Sequence, residues 1–218
     1  MKVAYVVRTG LLALLLAAGS ALAKAPAAPP AEEAVKSLKI GAAAPLKAVK
    51  MKSVDGSEVS IAGAAGTRGT LVVFTCNHCP WAKMWQGRIA AIGNAAIEHG
   101  VGVVAINSND PAAYPEDDYA SMQDRAKSLD FKFPYAVDAT SDVARAFGAS
   151  RTPEAFLFDA KGKLVYHGTV DDNARDETAV EKTWLHDAVE AVATGKSVAV
   201  SETKAFGCGI KFREKRTS

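Results

Sequence analysis

The hydrophobic positions of this chain fall into short continuous blocks, and segments with helical periodicity lie between them. The blocks at residues 71–74 and 101–107 have the length of buried strands, and residues 80–98 between them have the length of a helix that Gly100 would end. Strands that are covered on both faces are apolar throughout instead of alternating with polar residues. The pattern therefore predicts a right-handed strand–helix–strand crossover and an α/β fold.

The segments that follow extend this pattern. Helices are expected at 116–129, 141–147 and 178–193, and strands at 133–137, 155–158 and 164–167. The turn signal at 159–162 joins the last two strands into a hairpin. Ahead of the first buried strand, a second turn signal at 54–57 predicts a small N-terminal hairpin between 46–52 and 58–61. The expected architecture is a central mixed sheet flanked by helices, with an N-terminal hairpin and a C-terminal extension.

Residues 1–23 have the three parts of a secretory signal peptide. Lys2 and Arg8 make the start basic, residues 11–18 form a short apolar core, and a small-x-small pattern ends at Ala23. The apolar stretch is too short for a membrane anchor, which needs about 20 residues. We therefore expect cleavage after Ala23 and export of a soluble protein across the inner membrane into the periplasm.

The rest of the chain divides into a leader, a folded domain and a tail. Residues 24–37 are rich in Ala and Pro, which is typical of a flexible or extended segment. Residues 38–195 hold the predicted strands and helices, and residues 196–218 form a tail that returns over the surface and contains Cys208. The formal net charge is +2, and loss of the two basic residues of the signal peptide brings it near zero. The charge therefore gives no reason to expect a nucleic-acid partner.

The candidate chemistry lies where the first buried strand ends, in Cys76-Asn77-His78-Cys79-Pro80. Asn77 is a suitable helix N-cap and Pro80 is tolerated in a first helical turn, so Cys76 would lie at the mouth of a strand-to-helix turn. Free amides and the helix dipole stabilise an anion there, which predicts a pKa of Cys76 below the ~8.5 of a free cysteine. Cys76 is then the nucleophile. Cys79 is placed to attack a mixed disulfide on Cys76 and release the partner.

His78 bears on the direction of the redox reaction. An imidazole between the two cysteines favours the Cys76 thiolate, which stabilises the reduced form and makes the disulfide more oxidising. No buried carboxylate that could accept the proton of Cys79 is evident in residues 71–74. The proton acceptor is therefore left unassigned.

Cysteines and carboxylates also bind metals, but the sequence gives little support for a metal site. Tetrahedral zinc needs four ligands, and the third cysteine, Cys208, is remote in sequence. The acidic residues of one loop flank prolines and are interpreted as solvated; they are Asp110, Glu116, Asp117 and Asp118. We therefore expect no metal and no cofactor. In an oxidising compartment Cys208 is left as a free thiol, a resolving partner or an intermolecular contact.

Several short segments occur in an order that is typical of one fold. They are residues 74–80, 107–110, 114–117, 133–135, 152–154 and 207–211. With the order of elements over residues 38–194, they resemble the thioredoxin fold, and more narrowly the thioredoxin-like branch of the alkyl hydroperoxide reductase and thiol-specific antioxidant superfamily, the redoxins. The resemblance implies a cis peptide bond before Pro153, beside a redox-active disulfide of Cys76 and Cys79. It also implies that the backbone of Thr152 pairs with an extended substrate chain.

Members of this superfamily include reductases, oxidants, peroxidases and copper carriers, so the fold leaves the function open. The first hypothesis is an exported thiol:disulfide oxidoreductase in which Cys76 and Cys79 exchange disulfides with protein thiols and an upstream redox partner. The alternative is a peroxiredoxin-like peroxidase that forms a sulfenic acid on Cys76 and resolves it with Cys79 or Cys208. Peroxiredoxins carry a threonine three residues before the reactive cysteine, whereas this chain has Val73. A less favoured third hypothesis is a Cu(I) carrier that adds His167 to the two cysteines.

Overall fold

The computed structural model describes residue 1 and residues 37–214 of the chain. The strands are β1 (Met51–Ser53), β2 (Glu58–Val59), β3 (Gly69–Phe74), β4 (Val101–Asn107), β5 (Tyr135–Val137), β6 (Arg151–Thr152), β7 (Glu154–Asp159), β8 (Leu164–Gly168) and β9 (Cys208–Gly209). The α-helices are α1 (Pro80–Glu98), α2 (Tyr119–Ser128), α3 (Asp142–Phe147) and α4 (Trp184–Ala193). Short 3₁₀ helices span Pro115–Asp117 and Glu177–Ala179.

The main sheet is mixed, with the strand order β2-β1-β5-β4-β3-β7-β8. β3 pairs in parallel with β4, and β4 pairs in parallel with β5. A parallel pair needs a crossover connection, and α1 supplies the one between β3 and β4. On its other edge β3 pairs with β7 in the antiparallel sense, and β7 and β8 form the predicted hairpin. The prediction of a mixed sheet flanked by helices is confirmed.

The side chains of β3 contribute alternately to two apolar cores, because successive residues of a strand face opposite sides of the sheet. Leu71 and Val73 pack with apolar residues of α1 and α4. Val72 and Phe74 pack on the other side, where the Phe74 ring meets the Phe147 ring of α3 edge-on at a centroid distance of 5.2 Å. Every residue of β3 is buried, so the end of this strand is a fixed platform for the residues that follow.

Helix α1 begins one residue after Cys79, which is its N-cap residue, so the prediction that Asn77 caps the helix is wrong. Pro80 suits the first helical position because the N–H that it lacks would be unpaired there. Asn77 is instead buried in the preceding turn, where its side-chain oxygen accepts a hydrogen bond from the Tyr135 hydroxyl at 3.1 Å. The predicted end at Gly100 is confirmed, since this glycine has the left-handed φ of 78° that follows many helices.

Two predicted helices begin later than the hydrophobic pattern indicates. In the segment predicted as a helix at 116–129, the chain first forms the 3₁₀ helix Pro115–Asp117, and the Asp118 side chain then caps α2. In the segment predicted at 178–193, the α-helix begins only at Trp184. Hydrophobic periodicity locates the buried face of a helix but not the side chain that caps it.

The predicted signal peptide and nearly all of the predicted leader lie outside the described residues, so both stay predictions. The N-terminal hairpin is confirmed as β1 and β2, with Met51 opposite Val59, although its strands are shorter than the sequence indicates. Within the described part of the chain, none of the helices has the length and apolar character that crossing a bilayer requires.

Candidate active site

The side chains of Cys76 and Cys79 converge on a single residue of another element. Cys76 lies in the turn after β3, Cys79 lies at the start of α1, and Thr152 ends β6. The Cys76 Sγ lies 3.3 Å from the Thr152 Oγ1, and the Cys79 Sγ lies 3.2 Å from the Thr152 carbonyl oxygen. The peptide bond between Thr152 and Pro153 is cis, as the resemblance implies. The structure therefore brings four predicted site residues together.

All three cysteines are free thiols in the structure, and the proposed redox-active disulfide of Cys76 and Cys79 stays a prediction. The relative exposure of Cys76 is 1% and that of Cys79 is 0%. Cys208 is half-buried. The reduced pair is thus closed off from solvent, and the third thiol is the most accessible of the three.

The two buried thiols ionise in the opposite order to the one that the sequence suggested. The pKa of Cys79 is lowered to about 4, first by a hydrogen bond from Cys76, with help from the Cys208 thiol and the Ala82 amide. The pKa of Cys76 is raised well above its usual range by the bond it donates to Cys79, by burial and by the negative charge of Asp117. The expectation of a lowered Cys76 pKa is therefore wrong, first because of the hydrogen bond with Cys79 and then because of burial and the charge of Asp117.

Asp117 is the carboxylate that the sequence interpretation missed. Its relative exposure is 2%, although its neighbours Glu116 and Asp118 are exposed, so its interpretation as solvated is wrong. One carboxylate oxygen accepts hydrogen bonds from the backbone N–H groups of Asn77 at 2.6 Å and His78 at 3.1 Å. These bonds hold the turn between the two cysteines. Only the tertiary fold distinguishes this aspartate from the acidic residues beside it.

The imidazole of His78 is fixed by two contacts. Its Nδ1 lies 2.5 Å from the Asp117 Oδ2, and its ring stacks on the Tyr114 ring at a centroid distance of 4.0 Å. The Asn109 Nδ2 donates a hydrogen bond to the same Oδ2 at 2.8 Å. His78 is therefore part of the site, held by a carboxylate instead of being free in solvent.

One group of described residues has the spacing of metal ligands: Cys76, His78 and Asp117, whose ligand atoms lie within 4.8 Å of one another. This group does not include His167. The structure therefore does not bring His167 together with the two cysteines, and this contradicts the ligand set of the Cu(I)-carrier hypothesis.

His167 instead pairs with Glu154, a second buried carboxylate that the sequence interpretation did not single out. The His167 Nε2 lies 2.7 Å from the Glu154 Oε1. The other oxygen, Oε2, accepts hydrogen bonds from the backbone N–H groups of Ser150 and Arg151, each at 2.8 Å. Glu154 thereby holds the loop that presents Thr152 to the cysteines. Its position directly after Pro153 is the one sequence signal that could have indicated this role.

The backbone edge of Thr152, which the resemblance assigns to a substrate chain, is occupied by the protein's own tail. β9 pairs with β6 in the antiparallel sense, with Cys208 opposite Thr152 and Gly209 opposite Arg151. Cys208 packs against the cluster that contains Cys76 and Cys79. Its pKa is raised to about 11 by burial and by the hydrogen bond and charge of Cys79. The tail is therefore part of the site, and all three thiols meet.

A groove with aromatic walls begins beside the cysteines and has a volume of about 420 Å³. Its wall next to Cys79 is formed by Trp81, whose ring meets the Phe206 ring of the tail edge-on at 4.5 Å. The Arg175 guanidinium lies over the Trp81 ring, at 5.4 Å from its centroid. The tail thus contributes both a thiol and an apolar wall to the surroundings of the site.

The sheet topology, the paired thiols after β3 and the cis-proline beside them together define a thioredoxin-like redox protein. Residues 39–183 match the family model described as Redoxin. The chain belongs to the Redoxin family and is a redox enzyme of this class. The predicted superfamily is confirmed.

Solved structures share the fold. The chain is similar to a hypothetical protein from Sinorhizobium meliloti 1021, with 33% identity, a TM-score of 0.75, and coverage of 83% of this chain and 98% of that one. It is also similar to an uncharacterized conserved protein from Geobacillus kaustophilus, with 34% identity, a TM-score of 0.74, and coverage of 81% and 94%. A putative protein disulfide isomerase from Bacteroides thetaiotaomicron shares the fold, with 17% identity, a TM-score of 0.54, and coverage of 72% and 91%. No protein of curated function matches the sequence.

Proposed function

We propose that this protein is an exported thiol:disulfide oxidoreductase that exchanges disulfides with protein thiols through Cys76 and Cys79. The observation that carries the proposal is the convergence of the two sulfurs on Thr152, where one thiol has a lowered pKa and the other a raised one. Two thiols that share a proton in this way form a dithiol whose oxidation gives one disulfide. Because β9 occupies the backbone edge of Thr152, a substrate chain that pairs with Thr152 beside Pro153 would take the place of the tail.

The lowered pKa of Cys79 favours the oxidising direction. A stabilised thiolate lowers the free energy of the reduced form, so the disulfide becomes a stronger oxidant. Asp117 opposes this trend at Cys76, because its charge raises the pKa of that thiol. His78 pairs with Asp117 and therefore acts on the two cysteines through this carboxylate.

The experiment that tests the proposal is a redox titration of the purified protein against glutathione, with the thiols counted by mass after alkylation. We expect a reversible two-electron couple between the dithiol and the Cys76–Cys79 disulfide. In the Cys208→Ser background, the further changes Cys76→Ser and Cys79→Ser should each abolish this couple. A wild-type protein without such a couple would contradict the proposal.

The proposed export rests on the N-terminal sequence pattern alone. Expression of the full chain in a Gram-negative host, followed by fractionation and mass measurement, should give a periplasmic protein that begins at Lys24. An uncleaved chain in the cytoplasm would contradict export, and it would leave the thiol chemistry untouched.

A peroxidase is the second candidate, and the burial of Cys76 favours it. A side chain that is only 1% exposed is more readily reached by a hydroperoxide than by a protein disulfide. In this reaction Cys76 would become a sulfenic acid, which a neighbouring thiol converts to a disulfide with release of water. Trapping of a Cys76 sulfenate after a stoichiometric dose of peroxide would support this candidate. A rate equal to that of a free thiol would exclude it.

A further inference from the structure

The segment that carries Cys208 is fastened on both sides of this residue. We call residues 203–212 the C-terminal strap. Before Cys208, the Thr203 N–H donates to the His167 carbonyl oxygen at 2.9 Å, and the Thr203 Oγ1 accepts from the Thr169 N–H at 3.0 Å. After Cys208, the Ile210 N–H donates to the Ser150 carbonyl oxygen at 3.0 Å. The strap therefore holds Cys208 at a fixed place beside Thr152.

The strap fits against Thr152 only because its residue 207 is a glycine, which has no side chain. Gly207 has the positive φ of 157°, and a Cβ on this residue would lie 2.1 Å from the Thr152 carbonyl oxygen. The Cys79 Sγ contacts the same oxygen. Gly209, on the other side of Cys208, has no such restriction, since its Cβ would meet only the Ser150 oxygen at 4.0 Å. The close approach of the strap to Thr152 thus depends on Gly207.

The strap places Cys208 between the buried thiols and solvent. Cys208 packs against the cluster that contains Cys76 and Cys79, and Cys79 and Cys208 each perturb the pKa of the other. Cys76 and Cys79 are closed off, whereas Cys208 is half-buried. A protein thiol that approaches the site therefore meets Cys208 first.

We propose that Cys208 is a third redox-active thiol, which passes the disulfide between the buried Cys79 and external protein thiols. This inference rests on the proposed function, because the Cys76–Cys79 disulfide is the bond that it passes on. It assigns Cys208 a part in every turnover, and it makes the strap a component of the reaction path instead of a cover over the site.

The relay consists of thiol–disulfide exchanges in which electrons and protons balance. The Cys208 thiolate attacks the Cys79 Sγ of the Cys76–Cys79 disulfide. A Cys79–Cys208 bond forms, the Cys76–Cys79 bond breaks, and the Cys76 thiolate leaves and takes up a proton. A substrate thiolate then attacks the Cys208 Sγ and releases the Cys79 thiolate. A second substrate thiol attacks the substrate sulfur and releases Cys208. Overall, two substrate thiols become one disulfide and the protein disulfide becomes a dithiol.

The ionisation of Cys79 suits the second exchange. A thiol with a low pKa leaves fastest in thiol–disulfide exchange, and the pKa of Cys79 is about 4. The charge of Cys79, which helps to raise the pKa of Cys208 in the reduced protein, is absent when Cys79 is part of the disulfide, so Cys208 ionises more easily in the oxidised protein, where it makes the first attack. Reduction of a substrate disulfide follows the same steps in reverse.

The first experiment tests whether the Cys79–Cys208 bond forms. The full-chain Cys76→Ser variant is oxidised with a stoichiometric dose of diamide, and its disulfides are located by peptide mapping. We expect a Cys79–Cys208 disulfide within the chain, and none in the Cys79→Ser control, which keeps Cys76 and Cys208, because the Cys208 pKa is perturbed by Cys79 and Cys76 is not among its causes. Absence of the bond in Cys76→Ser would overturn the relay. This readout does not depend on the Cys76–Cys79 couple. Failure of the relay can therefore be distinguished from failure of the proposed function, which the redox titration tests.

A pair of glycine variants tests whether the strap must be seated. In the Cys76→Ser background, Gly207→Ala should lower the yield of the Cys79–Cys208 disulfide at least tenfold, while Gly209→Ala should change it less than twofold. Near-ultraviolet circular dichroism confirms that each variant is folded. Equal yields in the two folded variants would show that Cys79 meets Cys208 without the seated strap, and they would overturn the geometry proposed.

The last experiment tests whether Cys208 takes part in the exchange or whether the strap only covers the site. The oxidised full-chain protein is mixed with a reduced peptide that has two cysteines, and formation of the peptide disulfide is followed by mass. We expect Cys208→Ser to slow this exchange at least tenfold. An exchange rate equal to or above that of the wild-type protein would mean that the strap only covers the site, and the relay would be overturned.

Discussion

Asn109 hydrogen-bonds to the C-terminal strap and to Asp117 through opposite ends of one side-chain amide. Its Oδ1 accepts from the Lys211 N–H at 2.7 Å, and its Nδ2 donates to the Asp117 Oδ2 at 2.8 Å. Asn109 is completely buried, so neither bond competes with water. The strap and the turn between the cysteines are thereby joined through Asn109 and Asp117, which belong to neither.

Replacement of Asn109 by Ala should therefore destabilise the protein and loosen the strap together. Both bonds are lost at a buried site, and an unsatisfied buried polar group costs about 1–3 kcal/mol. We expect the free energy of unfolding to fall by about 2 kcal/mol. Hydrogen exchange should also show faster exchange at the Lys211 amide.

Asn94 offers a matched control for this variant. Its side chain also donates one hydrogen bond, to the Asp130 carbonyl oxygen, and accepts one, from the Lys132 N–H, but both lie at the surface. Asn94→Ala should therefore cost less than about 1 kcal/mol, because water replaces exposed hydrogen bonds. Equal losses of stability in the two variants would contradict the role assigned to Asn109.

The reduced protein should carry one thiolate over a wide range of pH. The lowered pKa of Cys79 means that its anion is present at every pH above about 4 and is protonated as the pH falls through that value. Ultraviolet absorbance of the thiolate, measured on reduced protein against pH, should show this transition. Cys79→Ser should lack it, and an absorbance that appears only near the pKa of a free thiol, about 8.5, would contradict the assignment.

Asp117→Asn and His78→Phe should shift the reduction potential in opposite directions. Asp117→Asn removes the negative charge that raises the pKa of Cys76, which stabilises the reduced pair and should raise the potential. A gain of about 1.4 kcal/mol corresponds to roughly 30 mV. His78→Phe keeps a ring against Tyr114 but leaves Asp117 without its imidazole partner, so the potential should fall.

Equilibration of these two variants with glutathione gives both potentials. Glu116→Gln is the control, because it removes the same charge from the exposed residue next to Asp117 and should leave the potential unchanged. Shifts of the same sign in Asp117→Asn and His78→Phe would contradict the view that His78 acts through the carboxylate.

Asp171 should be among the residues on which stability depends most. Its carboxylate accepts a hydrogen bond from the Trp85 Nε1 at 2.7 Å and also pairs with Arg88. Removal of one partner from a buried pair costs about 3–5 kcal/mol, and the exposed part of Arg88 places the expected loss near the lower value. We expect Asp171→Ala to lower the free energy of unfolding by about 3 kcal/mol in denaturant titrations.

The adjacent Asp172 is the control for this prediction. It is exposed and accepts one hydrogen bond, from the Glu181 N–H at 3.1 Å. Asp172→Ala should cost less than about 1 kcal/mol. If both variants unfold at the same denaturant concentration, the buried contacts of Asp171 are not what stabilises this end of the molecule.

The sequence by itself determined the central elements of the fold. The apolar blocks that became β3 and β4, and the helix between them, are local patterns, and each predicts a buried strand or a helix without knowledge of its neighbours. The cysteine pair, the proline that begins α1 and the Thr152–Pro153 dipeptide are equally local. They were sufficient to locate the candidate site and to indicate its redox character.

Only the tertiary structure decided which groups surround the two thiols. Asp117 and its acidic neighbours have the same local pattern, yet one is buried beside Cys76 because of how the Pro115–Asp117 turn packs against the residues after β3. The order in which Cys76 and Cys79 ionise follows first from the hydrogen bond between the two thiols, and then from burial and the charge of that carboxylate. The position of Cys208 follows from a strand pair between residues far apart in the chain. These contacts depend on electrostatics and packing between distant segments, for which hydrophobic periodicity carries no signal.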